Sequence, residues 1–145
     1  MNLLARPVSR ASDRELQVYN RLVLQHQDEA FSLACDLLGE ESTAADLVQQ
    51  VFLRGFARRD DERLPFRLRV IRWVVCACLQ SGRPLPGPAR LDPRLERLSN
   101  EEGVALVLVE RLGLSYAEAA EVMGKPAAEF RSILATARFS LWKMG

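Results

Sequence analysis

The stretch GLSYAEAAEVMGKPAAEFRSILATAR, residues 113–138, reads as a helix, a sharp turn and a second helix. Ser115 can cap a short helix of small apolar residues, Ala119, Ala120, Val122 and Met123, with Glu118 three residues after the cap as in a capping box. Gly124 stops that helix, and Pro126 suits the opening of the next one, where its missing N–H costs nothing. Phe130, Ile133, Leu134, Ala137 and Leu141 then recur at helical spacing along one face. A short helix, a tight turn with Gly and a longer helix make the unit that lays its second helix in the major groove of DNA.

Two short helices cannot bury enough area alone, so an apolar helix is expected beside them. Ser99 and Glu102 form a second capping box, and Val104, Ala105, Val107, Leu108 and Leu112 follow on a strongly apolar segment. Residues 99–145 therefore read as a three-helix unit. Upstream, residues 81–93, SGRPLPGPARLDP, hold four Pro and two Gly, a composition incompatible with regular structure. Residues 82–98 read as a linker stiffened by proline.

Before the linker, residues 12–81 carry the pattern of four helices. Ser12 caps the first, with Glu15 three residues on and Leu16, Tyr19, Leu22 and Val23 marking a face that ends near His26. A second follows at once on Ala30, Phe31, Ala34, Cys35, Leu37 and Leu38, closed by Gly39. The third runs over residues 42–59 with Ser42 or Thr43 as cap, and packs through Ala44, Leu47, Val48, Val51, Phe52, Gly55 and Phe56. Asp46, Gln49, Gln50, Leu53, Arg54 and Arg58 fall on its other side, polar enough to meet a partner. After the charged break at residues 60–63, Pro65 opens a fourth helix with Phe66, Val70, Trp73, Val74 and Ala77 along one stripe. Arg67, Arg69 and Arg72 near its start have two readings. They face solvent while Trp73 joins the core, or they form a strip for a nucleic-acid backbone with aromatics that stack on bases. Residues 1–11 read as a loose leader.

The fold class expected is thus all-α, two small helical domains in 145 residues. Twenty Lys and Arg against nineteen Asp and Glu give a net charge of +1, low for a protein whose affinity comes from neutralising phosphates. The excess of positive charge is local, with five Arg against Asp61 and Glu62 in residues 61–83. Cys35, Cys76 and Cys78 have no pairing or ligand spacing and one His for company, so they read as buried small hydrophobes, with no metal and no cofactor. No nucleophile–base set or phosphate loop appears, which argues against an enzyme. No apolar run is long enough for membrane insertion, and a cytoplasmic chain is expected.

In their order, the segments FSLACDLLGEESTAADLVQQVFLRGF and RLGLSYAEAAEVMGKPAAEFRSILATAR resemble regions 2 and 4 of the extracytoplasmic-function group of bacterial RNA polymerase sigma factors. The resemblance covers nearly the whole chain from Tyr19. It implies a chain that binds core polymerase, at the clamp helices of β′ and the β flap, and directs it to promoter DNA. Asp46, Gln49, Gln50, Leu53 and Arg54 would dock on the clamp helices. Phe66, Arg67, Arg69, Arg72 and Trp73 would melt and read the −10 element. Lys125, Ala128, Glu129, Arg131, Ser132, Ala135, Thr136 and Arg138 would face the −35 element. An anti-sigma factor is a further implied partner.

The sequence departs from the family's pattern at DNA-contacting positions. The loop before Phe66 is short, and Cys76 and Gln80 stand where Asn and Asp are common. Glu129 replaces a small or hydroxyl residue at the start of the reading helix, where phosphates repel a carboxylate. Ile133, Ala135 and Thr136 stand where basic or His residues are frequent, so duplex binding by this unit alone is expected to be weak. Two other functions fit the pattern: a sigma-like protein that binds polymerase or an anti-sigma factor without reading DNA, and a simple helix-turn-helix regulator.

Overall fold

The structure, a computed structural model, describes residues 13–144. The leader over residues 1–11 and the expected cap at Ser12 lie outside the described residues. Seven α-helices and no strand occur among the described residues.

Helix α1, Asp13–Leu38, is a single helix of 26 residues where the sequence suggested two. The reason is continuity of phase. No Gly or Pro interrupts it, and Tyr19, Val23, His26, Ala30, Leu33 and Leu37 keep one stripe through the expected break. His26 sits on that stripe, its Nδ1 2.8 Å from the Leu22 carbonyl and its ring edge-on to Phe66 at 5.2 Å. Leu33 and Leu37 are fully buried, worth roughly 1.5–3 kcal/mol each. Gly39, at φ +84°, ends the helix with its N–H on the Cys35 carbonyl.

Helix α2, Glu41–Gly55, starts directly after Glu40, whose extended backbone precedes the first turn without a side-chain cap. Ser42 and Thr43 therefore lie inside the helix instead of capping it. A 3-10 turn, Phe56–Arg58, follows. Helix α3, Phe66–Leu79, begins after Pro65 and buries Leu68, Val70, Ile71, Val74, Val75 and Cys78. The expected stripe through Phe66, Trp73 and Ala77 is only half-buried, a flank of this wider arc. The arc is wide because α3 packs against α1 and α2 and also against the helix-turn-helix, and a helix apolar on several sides is a buried one.

The proline-rich stretch is more ordered than its composition suggested. It forms α4, Gly87–Leu91, and a 3-10 turn, Pro93–Arg97, capped by the Asp92 carboxylate on the Arg94 N–H. Proline opens both, its fixed φ suiting a first turn. The stretch is also held down. Arg90 donates to the Gly39 carbonyl at 2.6 Å, and Asn100 accepts from the Leu85 N–H and donates to the Arg83 carbonyl. A Cβ on Gly87 would lie 2.1 Å from the Asp36 carbonyl oxygen, so the chain crosses the end of α1 at a distance only glycine permits.

Helix α5, Asn100–Leu106, runs into a π turn, Val107–Arg111, closed by the Leu112 N–H on the Val107 carbonyl. Helix α6, Tyr116–Met123, and α7, Ala127–Met144, complete the helix-turn-helix. Both capping boxes form, Ser99 with Glu102 and Ser115 with Glu118, and Gly124 takes the left-handed conformation at φ +66°. Phe130, Leu134 and Ala137 bury one face of α7, and the apolar residues on both sides of the linker join one core.

Candidate functional site

Helix α2 presents two faces. Ala44, Val48, Val51, Phe52 and Gly55 are buried, while Asp46, Gln49, Gln50 and Arg54 are exposed around Leu53, which is 64% exposed. A large aliphatic side chain left in water among polar neighbours is a common feature of docking surfaces. The ridge stands between two grooves. On one side Gln49 and Leu53 share a groove of about 620 Å³ with Leu16, Tyr19, Val23 and Phe31 of α1. On the other, Asp46, Gln50 and Arg54 line a groove of about 1220 Å³ with Arg58, Arg69, Arg72 and Trp73. Residues expected to serve polymerase docking and promoter contact thus border the same groove.

The floor of the first groove is held by Tyr19, whose hydroxyl donates to the Phe52 carbonyl at 2.6 Å and whose ionisation burial pushes up to about 12. Tyr19 also meets Phe56 and Phe66 edge-on, at 5.1 and 6.0 Å. Phe66 in turn meets Trp73 at 6.0 Å, and the Arg58 guanidinium lies 5.9 Å from the Trp73 ring.

The three arginines of α3 are all engaged by protein. Arg67 forms a fork with Glu29 of α1, both bonds 2.8 Å, and that hydrogen bonding holds the Glu29 carboxyl below its ordinary range. Arg69 donates to the Leu64 and Arg59 carbonyls and lies over the Phe66 ring at 5.2 Å. Arg72 reaches across to the end of α6, donating to the Glu121 carbonyl at 2.8 Å and approaching the Val122 carbonyl at 3.4 Å. It complements the negative end of that helix. Neither sequence reading of the three arginines supplied these intramolecular acceptors, which come from other parts of the chain.

In the helix-turn-helix, Ala128, Glu129, Arg131, Ser132, Ala135, Thr136 and Arg138 are all exposed on α7. Lys125 is not. Its side chain is 20% exposed and its Nζ lies 2.9 Å from Glu101 and 3.4 Å from Glu129, which holds its ionisation above the ordinary lysine range. Arg138 pairs with Glu110 at 2.6 Å and donates to the Tyr116 hydroxyl at 2.7 Å. Arg131 makes no ion pair among the described residues.

Sequence reasoning missed two features. One is the pair of links back to the end of α1, Asp36 with Arg111 of the C-terminal unit at 3.1 Å and Gly39 with Arg90 of the linker, which no local pattern could announce. The other is the exposure of Phe139 and Trp142, at 59% and 76%. The signal for these was present: both fall off the Phe130–Leu134–Ala137 stripe. Cys76 is exposed and Cys35 half-buried, so of the three thiols only Cys78 fits the expected burial, which pushes its ionisation up to about 12. No cluster of three or more His, Cys, Asp or Glu that could hold a metal occurs among the described residues, and no helix there is long and apolar enough to cross a membrane.

These features define an all-helical protein with a grooved N-terminal helical layer and a C-terminal helix-turn-helix, the build of a transcription protein. The fold is similar to that of CnrH in complex with the cytosolic domain of CnrY, with a TM-score of 0.72, 23% identity, and 89% of this chain and 88% of that one covered. It is also similar to the sigma factor RpoE in complex with the anti-sigma factor NepR from Bartonella quintana, with a TM-score of 0.66, 17% identity, and 88% and 96% covered. In sequence it is 30% identical to the probable RNA polymerase sigma-C factor of Mycobacterium bovis and to the ECF RNA polymerase sigma factor SigC of Mycobacterium tuberculosis, covering 72% of this chain and 71% of each relative. No protein-family model matches the chain. The chain belongs to the extracytoplasmic-function family of RNA polymerase sigma factors. It is a transcription factor and not an enzyme.

Proposed function

We infer that this sigma factor binds core RNA polymerase through the exposed face of α2 and brings α3 and α7 to promoter DNA. Asp46, Gln49, Gln50, Leu53 and Arg54 form the docking face for the β′ clamp helices, and the helix-turn-helix serves the β flap. Residues 12–81 act as the polymerase- and −10-binding domain and residues 99–145 as the −35 domain. Phe66, Arg67, Arg69, Arg72 and Trp73 serve the −10 element. Ala128, Glu129, Arg131, Ser132, Ala135, Thr136 and Arg138 of α7, with Lys125, serve the −35 element. The observation that carries the reading is the division of α2, in which a fully packed face backs an exposed one centred on Leu53.

Promoter contact requires rearrangement, because Arg72 has its donors on the α6 carbonyls in the folded chain. One of the two fold neighbours named above, RpoE, is a sigma factor in complex with the anti-sigma factor NepR, and this chain takes an anti-sigma factor in the same way. The paired state of Lys125 and Arg138 favours the second reading, a protein that occupies polymerase without reading DNA.

Binding to purified core polymerase separates these from failure. Leu53→Ala is expected to weaken it at least tenfold, as for a central apolar anchor, and Asp46→Ala less. Unchanged binding in both variants overturns the docking assignment. Core binding without initiation at any candidate promoter selects the second reading.

A further inference from the structure

Helix α5 does not close as an α-helix. In its last turn, Val107–Arg111, the Leu112 N–H reaches the Val107 carbonyl at 3.1 Å, where an α-helix would use Leu108. The Leu108 carbonyl takes the Leu114 N–H instead, at 3.0 Å. No proline lies in residues 99–125 to force this, and Leu, Glu and Arg within the turn are good α-helix formers. A π turn is rare, so one that local sequence does not demand is held from outside.

Two adjacent residues of the turn are tied to different parts of the chain. Arg111 forms a fork with Asp36 of α1, at 3.1 and 3.2 Å. Glu110 accepts from Arg138 of α7 at 2.6 Å, and Arg138 also donates to the Tyr116 hydroxyl at 2.7 Å. Upstream, Val107 and Leu108 are buried and fixed. Relaxing the turn to α-helix would rotate the side chains after Leu108 by up to about 100°, one residue's share of a 3.6-residue turn, and would break both pairs together. The residue this frees passes into the loop, where Gly113 sits at φ +73° with no atom within 4 Å of where a Cβ would stand.

We propose that the π turn is a two-position switch coupling the joint between the units to Arg138. With Arg111 on Asp36 the turn is π and Glu110 holds Arg138; with the units parted the turn becomes α and Arg138 is free for a DNA phosphate. Each ion pair is partly exposed and weak by itself, so losing one tips the balance. The coupling is reciprocal, and an anion that takes Arg138 weakens the hold of Asp36 on Arg111. The phosphate contact rests on the reading of α7 as the −35 helix, whereas the link between the two pairs does not.

Nitrogen–carbon couplings across hydrogen bonds, measured by NMR on the full chain, report the acceptor of the Leu112 N–H. The native coupling is to Val107. In Asp36→Asn and in Arg111→Gln it is expected at Leu108, and the Arg138 guanidinium protons exchange with water at least about threefold faster. Anisotropy of a labelled duplex of about 20 base pairs, titrated at several salt concentrations, reads the phosphate contact. The plot of log affinity against log salt steepens by about one in Asp36→Asn. It does not steepen in Asp36→Asn/Arg138→Gln, nor in Glu96→Gln, which removes an acid that makes no ion pair among the described residues. The proposal is overturned if the Leu112 coupling stays on Val107 in both variants, if it moves while Arg138 stays as protected as in the native chain, or if the slope steepens as much without Arg138. Where the coupling and the Arg138 protons change but no variant binds the duplex, the switch stands and the reading of α7 as a DNA helix falls.

Discussion

Replacing Arg72 with alanine should loosen the joint between α3 and the helix-turn-helix. Of its two approaches to α6, only the 2.8 Å contact with the Glu121 carbonyl is a full hydrogen bond, the 3.4 Å contact with Val122 being long. A bond from a charged donor contributes about 1.5–3 kcal/mol, and the negative end of a helix adds about 0.3–1 kcal/mol. Two facts move the total to the lower end. Arg72 is half-buried, and the Glu121 carbonyl also accepts from the Gly124 N–H at 3.1 Å, so its removal orphans no acceptor. The expected loss is about 1.5 kcal/mol, roughly tenfold in the equilibrium between joined and parted units. In urea that lowers the midpoint by roughly 1 M for a slope of about 1.5 kcal/mol/M. Hydrogen exchange should rise most at the last turn of α6 and in the facing part of α3. Arg72→Lys, which keeps the charge without the planar fork, should fall between the two. A midpoint and an exchange pattern both unchanged in Arg72→Ala would refute the claim that this contact holds the units together.

Two further outcomes follow from named contacts. A Cβ on Gly55 would lie 2.3 Å from Trp73 Cζ3 and 2.7 Å from the Tyr19 hydroxyl, so Gly55→Ala should cost about 1–3 kcal/mol and turn the Trp73 ring outward. In a Trp142→Phe background Trp73 is the sole tryptophan, and its emission should shift to the red; an unshifted spectrum counts against the packing described. Glu29, held below its ordinary value of 4.5 by Arg67, binds fewer protons folded than unfolded over the interval below that value. Its contribution is present in full above that interval and is lost as the pH falls through the folded carboxyl's titration. With both partners about a third exposed, at 34% and 39%, it amounts to about 1 kcal/mol at most. The urea midpoints of the native chain and Glu29→Gln should differ at neutral pH and converge in acid, and a gap independent of pH would remove the ion pair from the account.

What the sequence determined by itself was local. Helix starts and stops are written in side chains within four residues of one another, so Ser99 with Glu102, Ser115 with Glu118 and Gly124 were legible and appear as read. The two faces of α2 were legible for the same reason, since one periodic pattern decides both. The misreadings came where a local signal met a tertiary one. The polar run around His26 looked like a break, but the α1 stripe continues through it and packs on Phe66. Four prolines looked like the absence of structure, yet Gly87, Arg90 and Asn100 fasten that segment to α1 and α5 and let short helical turns form.

The candidate site divides along the same line. Sequence placed Asp46, Leu53, Arg67, Arg72 and Arg138 on helices, and Lys125 in the turn between two of them, where they can meet a partner, because residue type and period suffice for that. Whether a guanidinium is available depends on which acceptor lies within about 3 Å, and those acceptors come from elsewhere in the chain. Glu29 lies 38 residues from Arg67, the Glu121 carbonyl 49 from Arg72, and Glu110 28 from Arg138. The packing of α3 between the N-terminal helices and the helix-turn-helix decided this for Arg67 and Arg72, and the approach of α7 to the π turn decided it for Arg138, while Leu53, Phe139 and Trp142 are left facing water.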